Sequence, residues 1–543
     1  MNGLMMDYPL TLPHLLERSA KLFSRKEIAS KSPDGMHRYT YADFHRRAHR
    51  VAHTLEKLGI QPGERVGTLC WNSYRHLELY FGVTCYGAVL HTLNLRLPSD
   101  QLEFIINHAE DRVIFVDASL VSILEPIRDR IPCVKHFVIL PDADCPATTL
   151  APASNYEDEL RSASAEPYSW PRLDENAAAA TCYTSGTTGN PKGVLYSHRA
   201  LFLHTFALAM ADSFAISERD AVLQIVPMFH ANGWGLPFAA IMTGARIVFT
   251  GKNLQSADIA ELIEKERITF TAGVPTIWMG LYGYLETHPH DLSSLREVVV
   301  AGSAMPRQFI ELFEKKHGIQ FRLAWGMTET TPIATFMALK QHLQDVPAQE
   351  RFDLLARHGL PVAGVDVRIV DAEGRELPWD GNTMGELQTR GPWITSAYYN
   401  DSRSDQAFME GWFRTGDVAT IDKEGYIQIM DRTKDLVKSG GEWISSVDLE
   451  NAIMAHPKVA EAAVIAVFHP KWQERPLACI APLEQHRGDI TKEEILEFLA
   501  SRVTKWWLPD DIVFIDAVPK TSVGKFNKRV LRDQFKDYTL PGV

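Results

Sequence analysis

The run Tyr183-Thr-Ser-Gly-Thr-Thr-Gly-Asn-Pro-Lys-Gly193 packs three glycines, four hydroxyl residues (Thr184, Ser185, Thr187, Thr188) and Lys192 into eleven positions. Gly186 and Gly189 let backbone amides converge on an anion, the hydroxyls donate to phosphate oxygens, and the lysine adds charge. A polar surface turn seldom combines all three donor types at this density. The Gly-x-x-x-x-Gly-Lys-Ser/Thr spacing is absent, which disfavours a P-loop kinase or GTPase.

Other segments carry weaker signals. Trp325-Gly-Met-Thr-Glu-Thr-Thr-Pro332 joins an aromatic face for a base, the hydroxyl of Thr328 and Glu329, a hard oxygen donor suited to Mg²⁺. Trp412-Phe-Arg-Thr-Gly-Asp417 ends on a carboxylate whose two oxygens can each take a donor. Ala301-Gly-Ser-Ala-Met-Pro306 is a common small-residue turn. His230 lies in the apolar stretch Val226 to Trp234, where a histidine is more often a satisfied core residue than a ligand. Asp431 to Asp435 reads as a charged linker, and Lys525 in Pro519 to Lys528 belongs to a basic tail of the kind that is usually solvated.

Taken in order, these motifs resemble the adenylate-forming superfamily of acyl-CoA ligases, luciferases and peptide-synthetase adenylation domains, from about Tyr39 to Arg532. In character the chain is similar to bacterial medium- and long-chain fatty-acyl-CoA synthetases, through Val226 to Trp234 and Lys438-Ser-Gly-Gly-Glu-Trp-Ile-Ser-Ser446. The resemblance implies ATP and CoA as co-substrates and Mg²⁺ on Thr184 and Glu329. It implies an ATP/AMP site of Thr184 to Gly189, Lys192, Gly302, Ser303, Ala304, Ala324, Trp325, Gly326, Met327, Thr328, Asp417 at the ribose, Arg432 and Lys434. Trp325 stands where the family more often carries tyrosine. His230, Ala231 and Trp234 fall beside the acyl group, and Lys438, Gly440, Gly441 and Trp443 fall where the CoA arm passes. Lys525 is the lysine that reaches the substrate carboxylate and the α-phosphate. The implied reaction is formation of an acyl adenylate with pyrophosphate release, then acyl transfer to CoA, with a medium- or long-chain fatty acid as substrate.

Positioning such a site takes an α/β scaffold. Helical patterns at Tyr41 to Leu58 and Ser73 to Gly87 alternate with apolar runs at Arg65 to Cys70, Val113 to Asp117, Ala177 to Tyr183, Ile247 to Thr250, Thr269 to Gly273 and Glu297 to Ala301. These runs predict buried, largely parallel strands. Pro141 to Asn176 is rich in Pro, Ala, Ser and acidic residues and reads as a surface excursion. After His358, shorter strands and turns predict a small β-rich subdomain, and past Lys434 a second βαβ-like pattern starts. The expected organisation is a large N-terminal AMP-binding and acyl-binding domain over 1–431, a hinge at 432–437 and a small, mobile α+β lid domain over 438–543.

The bulk numbers agree with a multidomain globular protein. The chain has 543 residues, 45% hydrophobic and 23% charged. Its net charge of −12 argues against a nucleic-acid surface, and six scattered cysteines without a C-x-x-C pair disfavour zinc or a disulfide framework. No secretory signal opens the sequence and no stretch reaches about 18 uninterrupted apolar residues, so a cytoplasmic location is expected. The fatty-acyl likeness implies a homodimer. Alternatives from the same superfamily are a ligase for short thioether or aryl acids, a luciferase and, less consistent with the chain's end at Val543, a peptide-synthetase module. From another class comes a non-catalytic adenylate-binding regulator.

Overall fold

The computed structural model describes residues 1, 3–141, 147–184, 190–440, 442–520 and 526–541. Among these, four β-sheets form the framework. In the first, six strands run parallel in the order Gln320–Gly326, Glu297–Val300, Phe270–Gly273, Ala221–Gln224, Arg246–Phe249 and Glu27–Ser32, with antiparallel strands at both edges. In the second, Ala153–Asn155, His136–Leu140, Asp111–Asp117, Arg65–Leu69, Val89–Thr92 and Ala178–Tyr183 run parallel and Gly193–Ser197 returns antiparallel. Helices cover the faces, which is why these strands are near-continuous apolar runs: Val298 to Val300 and Val113 to Val116 are buried.

Local chemistry sets the helix ends. Thr40 and Asp43 form a reciprocal capping box at the start of helix Tyr41–Lys57, and Ser73 caps Tyr74–Tyr86. These two helices pack together, with Phe44 and Phe81 in edge-to-face contact 5.5 Å apart.

Two differences from the sequence expectation have plain causes. The excursion after Pro141 contains the strand Ala153–Asn155 and the helix Tyr156–Ser162. Asn155 caps that helix, and Tyr156 is fully buried with its hydroxyl donating to Glu78 at 2.7 Å, so one anchored aromatic holds a polar segment on the core. Ordered structure also begins before Tyr39, in the helix Leu12–Phe23, whose Leu12, Leu15 and Leu16 are buried.

The third sheet is antiparallel and gathers Asp366–Val370, Gly385–Arg390, Trp412–Ile421, Phe408–Met409 and Ile427–Arg432. The fourth gathers Val437–Ser439, Glu442–Ile444, Gln473–Pro482, Val459–His469 and Asp511–Phe514, and packs Ser446–Met454 and Lys492–Ala500 around its own apolar core.

Candidate active site

The chemistry-bearing segments leave the first sheet at the carboxyl ends of its parallel strands, the usual ligand side of an open α/β sheet. Ala221–Gln224 leads into 225–235, Glu297–Val300 into 301–306, and Gln320–Gly326 into 327–332. Thr184 follows directly on the strand Ala178–Tyr183 of the second sheet. Asn72 ties these sheets together: its amide donates to Gln224 O and Val226 O, both at 2.9 Å, and its oxygen accepts from Met228 N at 2.8 Å.

That clamp precedes an unusual turn. Ala231, Asn232, Gly233, Trp234 and Gly235 all have positive φ, from 36° to 73°. A left-handed non-glycine residue costs roughly 1–2 kcal/mol, so the surroundings must impose the conformation. Asn232 N donates to Cys182 Sγ at 3.3 Å, Asn232 Nδ2 donates to Thr92 Oγ1 at 3.3 Å, and Gln224 Nε2 donates to Gly233 O at 3.2 Å. A Cβ at Gly235 would lie 2.8 Å from the His204 ring. The result sets His230, Ala231 and Trp234 on one cavity wall.

This cavity, of about 630 Å³, brings together Thr184, Lys192, His230, Ala231, Trp234, Gly302, Gly326, Met327, Thr328, Glu329, Arg432 and Lys434. A second, of about 230 Å³, is lined by Gly302, Ser303, Ala304, Ala324, Trp325, Gly326, Asp417 and Arg432. Gly302, Gly326, Arg432, Asp435 and Phe526 border both. Thr184 and Lys192 close the neck of the glycine-rich loop: Thr184 N donates to Lys192 O at 2.9 Å and Lys192 N to Thr184 Oγ1 at 3.3 Å. Residues Ser185 to Gly189, Gly441 and Lys525 lie outside the described residues. Lys438, Gly440 and Trp443 line neither cavity. Gly440 packs on Trp472, and Trp443 is partly exposed.

Electrostatics are concentrated here. Asp417, buried, accepts from Trp325 Nε1 at 2.9 Å on one oxygen and pairs with Arg432 Nε at 2.6 Å on the other. The expected aromatic face for a base is thus also a donor to the acid beside it. Burial lowers the Lys192 ammonium pKa and Arg403 adds repulsion, against the pull of Glu329 and Asp401. Burial likewise lowers that of Lys434. Thr184 and Glu329 offer a hydroxyl and a carboxylate to the same cavity, and hard oxygens of this kind suit Mg²⁺.

The C-terminal sheet's helices reach this region. Ser446 N and Oγ donate to Asp431 Oδ2, Gln308 Nε2 donates to Met454 O at 3.2 Å, and Arg532 pairs with Asp435. Lys528 Nζ pairs with the buried Glu450 at 2.7 Å, whose carboxyl burial pushes up to about 7. Sequence reasoning missed His358, Glu450 and Lys528 in the smaller cavity and Tyr398 in the larger one. Lys528 closes the 519–528 run, in which only Lys525 is given a role; no local motif marks the other three, because their partners are distant in the chain.

A separate cluster, Glu17, His45 and His49, has its ligand-type atoms 3.0–3.3 Å apart. His49 Nδ1 accepts the backbone N–H of Tyr168 at 2.8 Å, so in the neutral ring its Nε2 carries the proton and points a donor at Glu17. These three residues form a hydrogen-bonded knot rather than a ligand set.

Residues 16–399 match the AMP-binding enzyme family, and residues 448–525 match the AMP-binding enzyme C-terminal domain. A long-chain-fatty-acid–CoA ligase of Thermus thermophilus is 49% identical over 98% of this chain and 97% of its own. A 3-methylmercaptopropionyl-CoA ligase of Ruegeria lacuscaerulensis is 44% identical over 99% of each chain. Among solved structures, the anthranilate CoA ligase AuaEII in complex with anthranoyl-AMP aligns with a TM-score of 0.86 at 26% identity, over 98% of each chain.

Proposed function

The chain belongs to the AMP-binding enzyme family, and from that premise we propose that it is an acid–thiol ligase, converting a medium- or long-chain fatty acid, ATP and CoA to acyl-CoA, AMP and pyrophosphate. The observation that carries the reading is the single cavity shared by Thr184, Lys192, His230, Glu329, Arg432 and Lys434. It combines phosphate-type donors, a hard oxygen pair and an apolar wall from Ala231, Trp234, Pro332 and Ile333.

In the first half-reaction a carboxylate oxygen attacks the α-phosphorus and pyrophosphate leaves, giving a mixed anhydride. Two anions must approach, so charge neutralisation and alignment are the main tasks. Lys192, the amides of Ser185 to Gly189 and Lys525 supply them, and Asp417, with Arg432, accepts the ribose hydroxyls. Mg²⁺ held by Thr184 and Glu329 would neutralise phosphate charge. In the second half-reaction the CoA thiol gives up its proton to solvent, sulfur bonds to the acyl carbon, and the acyl C–O bond to the phosphate breaks as AMP leaves.

We take 432–437 as a hinge between units 1–431 and 438–543. Phe526, next to Lys525, borders both cavities, whereas Lys438, Gly440 and Trp443 border neither. A rotation about Lys434 exchanges the two faces, presenting Gly440 and Gly441 to the CoA arm. We also infer a cytoplasmic homodimer; the exposed run Leu4, Met5 and Met6 is apolar surface available to a second copy, and light scattering tests the dimer.

The second reading, a short thioether acid, is favoured by the Ruegeria relative. CoA- and ATP-dependent AMP release, measured over acids of about four to eighteen carbons plus thioether and aryl acids, separates the two. Highest kcat/KM on a fatty acid supports the first reading and on 3-methylmercaptopropionate the second. No acid-dependent pyrophosphate release on any of them overturns both.

A further inference from the structure

The loop after Gly385–Arg390 folds back on the neck of the glycine-rich loop. Tyr399 N donates to Gly193 O at 2.9 Å and Arg403 Nη2 donates to Asn190 O at 3.1 Å. The same loop reaches the acidic turn, where Thr395 N donates to Glu329 O at 2.8 Å. Between these anchors Tyr398 is buried, its backbone N–H held by Ser404 Oγ at 2.9 Å. Its hydroxyl donates to Glu329 Oε1 at 2.7 Å, and its ring face lies 4.3 Å from Lys192 Nζ.

We propose that Tyr398 is a positioning residue that keeps Lys192 and Glu329 apart, pinning one oxygen of the carboxylate with its hydroxyl while holding the ammonium on its ring face. The inference rests on Glu329 serving as the metal ligand. A half-buried lysine and a buried glutamate in one cavity attract each other, and a direct pair between them would occupy the oxygen that a divalent cation needs. The phenol blocks that collapse from both sides. It engages only one carboxylate oxygen, leaving the other free of its own contact, and gives the ammonium an electron-rich surface that does not neutralise its charge.

The test measures Mn²⁺ binding by EPR titration in the presence of α,β-methylene-ATP, so the readout does not depend on turnover. Tyr398→Phe keeps the ring and removes the pin; outer-shell losses of this kind weaken metal binding by about 10-fold. Tyr398→Leu removes both contacts and is expected to lose more, and Lys192→Gln introduced into it is expected to recover part of the Mn²⁺ affinity by removing the competing cation. Unchanged Mn²⁺ affinity in Tyr398→Phe overturns the pin. Equal affinities for Tyr398→Phe and Tyr398→Leu, without recovery in Tyr398→Leu/Lys192→Gln, overturn the separating ring. Glu329→Gln in the parent distinguishes the two levels: strong loss there with no effect at Tyr398 refutes the positioning role alone, and no loss there refutes the metal assignment together with it.

Discussion

Trp325→Phe isolates one hydrogen bond at the proposed ribose site. The indole N–H donates to Asp417 at 2.9 Å, and both residues are buried. A hydrogen bond to a charged group contributes about 1.5–3 kcal/mol. Arg432 still holds the other oxygen at 2.6 Å, so the carboxylate is not left unpaired and the lower end applies. About 1.5 kcal/mol corresponds to roughly a 10-fold fall in kcat/KM for ATP, measured by acid-dependent ATP–pyrophosphate exchange. The smaller ring also leaves space, which is a second source of loss. Repeating the assay with 2′,3′-dideoxy-ATP separates the two, because without ribose hydroxyls the carboxylate has nothing to hold and only the shape penalty remains. An equal loss with ATP and with the dideoxy nucleotide refutes the route through Asp417.

Lys525→Ala is expected to abolish adenylation yet largely spare thioester formation from supplied acyl adenylate; equal loss of both steps in a folded variant contradicts the two-face scheme. Trp234→Ala should shift chain-length preference, and an unchanged profile over the acid panel removes the indole from the acyl path. Gly235→Ala combines a left-handed backbone with a Cβ 2.8 Å from His204, a cost of about 2–4 kcal/mol, and should lower the thermal midpoint by several degrees while weakening acid binding. Glu17 bears on acid stability. Burial raises its pKa, but donors from His45, His49 and Trp170 outweigh this and hold it well below the usual carboxylate range. A depressed folded pKa stabilises above the unfolded value near 4.5 and is lost as pH falls through the folded one. The parent's stability advantage over Glu17→Gln should therefore shrink on acidification below that value, and a pH-independent difference in denaturation midpoint would contradict this.

What was legible in the sequence is what chemistry concentrates in consecutive residues. Tyr183 to Gly193 reads as an anion cradle because glycines, hydroxyls and a lysine are contiguous there, a reading whose centre, Ser185 to Gly189, lies outside the described residues, while the apolar runs around it announce the buried parallel strands that are found. The presentation of His230 and Trp234 was not legible. Their turn is left-handed at Ala231, Asn232 and Trp234, of which only asparagine favours that region, and the conformation is imposed by Thr92, Cys182, Gln224 and His204 from four other places in the chain. Tyr398 escaped for the same reason. Its hydroxyl and ring meet Glu329 and Lys192, 69 and 206 positions away, and nothing in its neighbourhood in sequence distinguishes it from Tyr399. The site therefore divides into two layers. Groups proposed to face the substrates come as motifs, while groups proposed to fix their geometry arrive singly through tertiary packing, so substitutions in the second layer should alter affinity and specificity without erasing any recognisable motif.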